Sequence, residues 1–428
     1  MSDIGTSSEH NVDPLDTHIH GRLRVLVFTT VFPSAVLPLH GTFVLERTRH
    51  LAKLADIQVV APIAWFRTIR RSGLATQTAP IITIHYPRFW YFPKFLKSFR
   101  GIFLFLSAWY QIRRIRKSFE FDLIDAHFAY PDGFAAVLLG KWFQRPVTIT
   151  LRGTIIPLSR RPLGRWLCDW AIRRAQRIIA VSGNLADRAL QGGVPANRIQ
   201  IIPNGVDSDR FQLLDRSVAR RRLGVQESDR LLVSVGHLSP RKGFHRLIRS
   251  LPGVLEFSPQ TRLAIIGGRG AEEDNSLELE ALVQRLQLTN YVMFVGSKKP
   301  DDVAVWLGAS DLFVFASDFE GCPNVILEAM ACGRPIVATK VGDIERMVPS
   351  FAGLLIDDPE DKVALSRAIV QAINRNWDTR RIREHVLGQS WDGVARQVAS
   401  QWLLAINPPV SEEPTHRRRP KTWFEPAS

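Results

Sequence analysis

A chain of 428 residues exceeds the size at which a single core stops growing, and its 45% apolar content predicts two packed domains plus extensions. The formal charge of +15, with pI near 10.3, points to an anionic partner: nucleic acid, anionic lipid or a phosphorylated substrate. Three cysteines, Cys168, Cys322 and Cys332, show neither paired nor metal-ligand spacing, which argues against a disulfide framework and suits a reducing, cytoplasmic compartment.

The first twenty residues are polar and partly acidic with no apolar core, so they read as a disordered terminus, neither a signal peptide nor an anchor. From Leu23 onward, short apolar runs ("LRVLVFTT", "IQVVAP", "FDLIDAHF", "PVTITLRG", "RIIAVS") alternate with longer segments of helical period, the pattern of parallel strands with crossover helices. After "IQIIPNGVDSDRF" the pattern restarts with "LLVSVGHL", "LAIIGG", "YVMFVGS", "DLFVFAS" and "PIVAT". Two α/β domains therefore meet near Pro203 to Phe211, and ligands are expected in a cleft beyond the carboxyl ends of the strands. The C-terminal "THRRRPKTWFEPAS" carries part of the charge and reads as a solvated, disordered basic tail.

Within the first half, Tyr86 to Phe119 places Phe95, Phe99, Ile102, Phe103, Leu106 and Trp109 at helical spacing, with Lys94, Lys97, Arg100, Arg113, Arg114, Arg116 and Lys117 around them. Its apolar core is too short to span a bilayer. A basic aromatic surface lying on anionic lipid fits this composition, and a core helix with a solvated basic face is the alternative. Nucleic acid is disfavoured, since no recognition motif accompanies the charge.

In the second half, "VGHLSPRKGF" sets Arg241 and Lys242 in a loop between a strand and a helix start, an arrangement suited to a diphosphate, though an ordinary basic βα loop reads the same way. "IIGGRG" ends another strand in glycines but has neither the Walker lysine spacing nor a first-strand Rossmann context, so no ATP or NAD site is read there. In "FEGCPNVILEAMACGRPIVAT", Pro323 suits a helix start and Gly333 a left-handed helix end, which predicts a helix over Asn324 to Cys332. Glu320 then faces the helix N-terminus from the loop and Glu328 lies just over one turn inside, so both could reach a ligand held at that positive end; the alternative is that Glu320 merely complements the helix dipole and Glu328 points into solvent. The pair Asp207 and Asp209 falls in the interdomain connection and reads as linker rather than as a metal site.

These pieces resemble, in order and spacing, the retaining glycosyltransferases of family 4, with the resemblance covering roughly Leu23 to Trp402. The two glutamates eight positions apart are its most specific motif, and "IPNGVD" and "VGHLSPRKG" match further blocks. The start of the chain is similar to the subgroup that includes teichuronic acid and exopolysaccharide glycosyltransferases. The resemblance implies an α/β GT-B fold: two Rossmann-like doubly wound domains facing a central cleft. It divides the chain into an acceptor domain over 21–205, a donor domain over 206–388, a helix over 389–406 returning to the first domain, and the tail 407–428.

By the same resemblance Arg241 and Lys242 would neutralise the nucleotide diphosphate leaving group, Glu320 would face the donor sugar, and Glu328 would hydrogen-bond the ribose. Gly41, Gly267, Gly321, Pro323, Asn324 and Val325 would complete the donor site, and His127 of "AHFAYPDG" would lie over the sugar at the cleft edge, where an isolated histidine is otherwise more often structural. Arg152 and Gly153 match an acceptor-side loop, where the usual aspartate is replaced by Ile155 or Ile156. The reaction implied is transfer from a nucleotide-sugar to a glycan or lipid-linked acceptor, with no metal or other cofactor, by an enzyme on the inner face of the cell membrane. The rival readings are a nucleotide-sugar epimerase on the same fold and a non-catalytic membrane-surface protein.

Overall fold

The computed structural model describes residues 22–38, 40–67, 77–79, 81–90, 99–269 and 274–408. Residues 1–21 and 409–428, with Lys94, Phe95 and Lys97, lie outside the described residues.

The first half forms β1 (Arg24–Phe28), β2 (Asp56–Val60), β3 (Ile63–Ala64), β4 (Gln77–Ala79), β5 (Ile82–His85), β6 (Arg88–Phe89), β7 (Leu123–His127), β8 (Val147–Leu151), β9 (Arg177–Ala180) and β10 (Ile199–Ile201). Eight of these make one sheet in the order β10-β9-β8-β7-β1-β2-β5-β4, parallel except for the β4–β5 edge, while β3 and β6 pair separately. Because helices cover both faces, β7 and β8 are buried at every position, and this is why their sequences are apolar runs rather than alternations. The second half forms β11 (Arg230–Val235), β12 (Thr261–Ile266), β13 (Val292–Gly296), β14 (Leu312–Phe315), β15 (Ile336–Thr339) and β16 (Gly353–Ile356), a parallel sheet in the order β13-β12-β11-β14-β15-β16. The two doubly wound domains agree with the expected fold. Strands β4, β5, β10 and β16 extend the sheets beyond the runs read from the sequence, and each is only three or four residues long.

Strand order explains where the sites lie. In the first sheet the chain winds outward in both directions from the β1–β7 pair, and in the second from the β11–β14 pair. At such a reversal the loops after two neighbouring parallel strands splay apart and leave a crevice at their carboxyl ends.

The helix Trp391–Ile406 packs on the first domain, with Trp391, Val398 and Trp402 buried against Val25, Val27 and Ile179. Trp402 is fully buried, so its loss would cost about 3–5 kcal/mol. The chain thus crosses between domains twice, and the two crossovers run side by side: Val206 N–H donates to Gln389 O at 2.9 Å. Asp207 accepts from the Arg210 backbone N–H at 3.0 Å and pairs with its guanidinium at 3.1 Å, so the linker reading accounts for it.

The helix Arg100–Arg116 buries Gly101, Leu104, Ala108, Ile112 and Ile115. The opposite face exposes Ile102, Leu106 and Tyr110, with Phe99 just ahead of the helix start. The helix is therefore amphipathic in an unusual sense, with one apolar side in the core and another in solvent.

Candidate active site

Arg241 and Lys242 follow β11 in a short 3-10 turn, Pro240–Lys242. Gly243 ends that turn at φ 68° and opens the helix Phe244–Leu255; a Cβ there would meet Ala316 O at 1.7 Å, so only glycine brings this loop against the one after β14. Since β11 and β14 are hydrogen-bonded neighbours, the two loops emerge side by side. Glu320 Oε1 consequently accepts from Lys242 Nζ at 2.6 Å, Arg241 Nη1 at 2.8 Å and Ser317 Oγ at 2.9 Å. Arg241 Nη1 also donates to Phe319 O at 3.0 Å and its guanidinium lies over the Phe319 ring.

The electrostatics follow from this clustering. Burial favours the neutral acid, yet Lys242 and Arg241 outweigh it and hold the Glu320 carboxyl below its usual range. Lys242 is lowered, chiefly by burial with Arg241 adding to it, against the pull of Glu320. His237, in the same loop, is lowered by burial and then by both cations, so this corner carries a positive potential.

The helix expected over Asn324 to Cys332 spans Asn324–Ala331, with Pro323 as N-cap, Cys332 as C-cap and Gly333 following at φ 69°. Its first residues, Asn324 and Val325, are partly exposed and its N–H groups are free of any side-chain cap. Glu328 sits one turn in, partly exposed, with no ion pair among the described residues, and burial pushes its carboxyl up to about 7, with Arg210 opposing weakly. Gly267, after β12, packs against Gly236 so closely that a Cβ would lie 1.7 Å from Gly236 O.

Across the crevice, Gly41 caps the helix Thr42–Leu51 at φ 79°, where a Cβ would meet Val31 O at 2.4 Å. The loop leading to it is fixed by Asp132, which accepts from Thr30 N–H at 2.8 Å, Thr30 Oγ1 at 2.9 Å and Thr29 Oγ1 at 3.3 Å. His127 ends β7 but is only 1% exposed. Its Nδ1 lies 3.5 Å from Arg152 Nη2 and its Nε2 3.7 Å from Asp125 Oδ2, beside the buried Arg47. Burial, then Arg47 and Arg152, hold this imidazole well below its usual range and therefore neutral. His127 thus lies beneath the cleft surface within a buried polar cluster, and not at an open edge.

The domains touch beside the site. Gly153 and Gly321 are so close that a Cβ on Gly321 would come within 3.0 Å of Gly153 N. Asn184 Nδ2 donates to Gly342 O at 2.7 Å, and Gly183 N–H to Asp343 Oδ2 at 3.2 Å. Ser317, Asp132 and Asn204 carry no role in the sequence reading, although Asp132 and Asn204 stand inside motifs singled out there. Only the partners they acquire in three dimensions distinguish them.

Two family descriptions match the chain: "Glycosyltransferase Family 4" over residues 20–210 and "Glycosyl transferases group 1" over residues 215–386. The chain is a family 4 glycosyltransferase. This glycosyltransferase is 29% identical over 365 residues to TuaC of Bacillus subtilis, named for teichuronic acid biosynthesis, an alignment covering 82% of this chain and 89% of that protein. It is 33% identical over 262 residues to the D-inositol 3-phosphate glycosyltransferase of Corynebacterium jeikeium, covering 56% of this chain and 62% of that relative. Among solved structures the glycosyltransferase resembles sucrose-phosphate synthase from Thermosynechococcus elongatus (TM-score 0.76, 20% identity, 90% and 100% of the two chains). It also resembles Anabaena HepE in complex with UDP and glucose (TM-score 0.62, 23% identity, 90% and 97%). These likenesses establish the GT-B fold.

Proposed function

We propose that this glycosyltransferase transfers a sugar, with retention of configuration, from a nucleotide diphosphate donor in its C-terminal domain to a glycan or lipid-linked acceptor approached from its N-terminal domain. The observation that carries the reading is the convergence of Arg241 and Lys242 on Glu320 at the β11–β14 crevice, in the loop that leads into the uncapped helix Asn324–Ala331. Two cations and a helix N-terminus supply the charge that a departing diphosphate requires. The relatives named for glycosyl transfer, together with a neighbour in fold whose structure holds UDP and glucose, support the donor class.

In the proposed reaction the bond from the anomeric carbon to the diphosphate oxygen breaks as the acceptor oxygen attacks the same face, and the acceptor proton passes to the leaving phosphate. Arg241 and Lys242 meet the charge that grows on that phosphate, a task assigned here to side chains and not to a metal ion. Glu328 takes the ribose hydroxyls. Glu320 orders the two cations and faces the sugar. The screen that tests this is incubation of the purified chain with a panel of nucleotide sugars, with and without EDTA and candidate acceptors. Release of nucleotide diphosphate with inverted product, or epimerised donor without transfer, overturns it.

The same reading puts the enzyme at an anionic membrane surface. Among the described residues no helix is long and apolar enough to cross a membrane. The exposed Phe99, Ile102, Leu106 and Tyr110 lie along one stripe of the helix Arg100–Arg116, which ends in Arg113, Arg114, Arg116 and Lys117. Trp109, Trp142 and Phe143 line, with Arg113, Arg116 and Lys117, a shallow cavity of about 450 Å³ at that end. Aromatic walls ringed by cations suit phosphate-bearing lipid headgroups.

A further inference from the structure

Asn204 lies in the first interdomain crossover, between β10 and β11, and is 4% exposed. Its side-chain amide is divided between the domains. Oδ1 accepts from Arg152 Nη1 of the N-terminal domain at 3.1 Å. Nδ2 donates to Asn324 Oδ1 at 2.7 Å and to Cys322 O at 3.4 Å, at the start of the C-terminal helix that faces the crevice. Arg152 itself is fixed from the other side, with its guanidinium 4.4 Å above the Phe43 ring, two residues beyond Gly41, and 3.5 Å from His127 Nδ1. Burial, with Arg47 adding to it, depresses this guanidinium, so the neutral acceptor that Asn204 offers satisfies one of its N–H groups without another buried charge.

We infer that Asn204 is a positioning residue for glycosyl transfer, one amide that sets the donor-facing helix start at Asn324 in register with the acceptor-side loop at Arg152. The inference rests on the proposed donor site. The amide spans residues 52 positions apart on one side and 120 on the other, so no local segment can supply this link. Immediately beside it Gly153 and Gly321 bring the two backbones into contact, a close approach that tolerates little lateral shift. Loss of the amide leaves the side-chain bonds of the phosphate-binding cations in place, since Arg241 and Lys242 are held by Glu320, Ser317 and Phe319, while the amide of Asn204 bonds Arg152, Cys322 and Asn324. What is lost is the alignment of donor and acceptor halves, to which transfer rates are steeply sensitive.

The test uses Asn204→Ala, Asn324→Ala and the double variant of the full chain. Each single variant should lower kcat/KM for the donor by roughly tenfold, from misalignment alone. The double variant should be no worse than about threefold beyond either, because both act through one bond. In Asn204→Ala, which alters no residue of the proposed donor site, nucleotide diphosphate affinity by calorimetry should stay within about threefold of the parent. Hydrogen exchange of the free protein should rise in Asn204→Ala at residues 322–326 and 152–154 while the strands of both sheets keep parent rates. Multiplicative effects on kcat/KM, diphosphate affinity of Asn204→Ala falling in step with turnover, or unchanged exchange at those two segments each overturn the inference. Should Asn204→Ala fail to fold, the partly exposed Asn324→Ala carries the same exchange measurement. A parent inactive with every nucleotide sugar counts against the proposed function alone, since exchange needs no turnover.

Discussion

Glu320 Oε1 lies 2.6 Å from Lys242 Nζ, closing an ion pair between loops 78 residues apart and placing an acid directly on the cations proposed to receive a diphosphate. The acid lowers the local positive potential while ordering its sources. Replacing it by Gln keeps the shape and removes the charge, so two opposite effects separate. Nucleotide diphosphate should bind at least as tightly as to the parent, because the carboxylate no longer competes for Lys242 and Arg241. The kcat should fall by about two orders of magnitude, because the preorganised geometry is lost. Calorimetry beside steady-state kinetics checks both, and weaker diphosphate binding in Glu320→Gln refutes the arrangement.

Lys242→Ala and Arg241→Ala should each reduce kcat by about 10²–10³ and weaken nucleotide diphosphate binding. Lys242 is the more buried of the two, so its loss should be the more damaging. Unchanged diphosphate affinity in both variants would remove the phosphate site from this loop.

Glu328 gives a pH signature. Its carboxyl is raised to about 7 by burial, so the neutral acid suits the fold and the ionised acid destabilises it. Stability from this group is greatest below the ordinary carboxylate range and is lost as pH rises toward 7, the opposite of a salt-bridged acid. Glu328→Gln should therefore flatten part of the decline in Tm between pH 5 and 8. Ribose hydroxyls donate to the carboxylate, so nucleotide binding near pH 6.5 should release a proton, measurable as buffer-dependent calorimetric heat. The same heat in Glu328→Gln argues against a ribose contact.

Asp132 is fully buried and satisfies three donors of Thr29 and Thr30. Asp132→Ala orphans them and should lower unfolding free energy by about 2–3 kcal/mol. With the Gly41 loop loosened, donor KM should rise as well. Denaturant titration reads the first effect and donor kinetics the second.

Membrane docking should appear as salt-sensitive sedimentation with anionic vesicles, because screening weakens the attraction of the exposed cations. Changing Arg113, Arg114, Arg116 and Lys117 together to Gln should release the protein without changing turnover of a soluble acceptor. Sedimentation equal to the parent would remove this helix from the membrane contact.

The sequence by itself determined the central parallel strands of both sheets but not the short outer ones β4, β5, β10 and β16, together with the chain segment near Pro203 to Phe211 that joins the two halves and the helix that Pro323 opens and Gly333 ends. Each of these depends on local chemistry: apolar runs where both faces are buried, and residues whose backbone preferences begin or stop a helix. Arg241, Lys242, Glu320 and Glu328 were legible as charged groups at a strand end and a helix start, an arrangement that an ordinary basic loop shares, and it was the resemblance to family 4 that proposed them as a donor site. Only the tertiary structure decided how these parts meet. The Glu320–Lys242 pair exists because β11 lies beside β14, an order that neither run encodes alone. The burial of His127 depends on Arg47, Asp125 and Arg152 converging from three separate segments. On the helix Arg100–Arg116, periodicity showed that an apolar face existed but not which face the sheet would cover: Leu104, Ala108 and Ile112 went inward and Ile102, Leu106 and Tyr110 stayed in solvent. The two stripes are both apolar, and only the shape of the surface they meet distinguishes them.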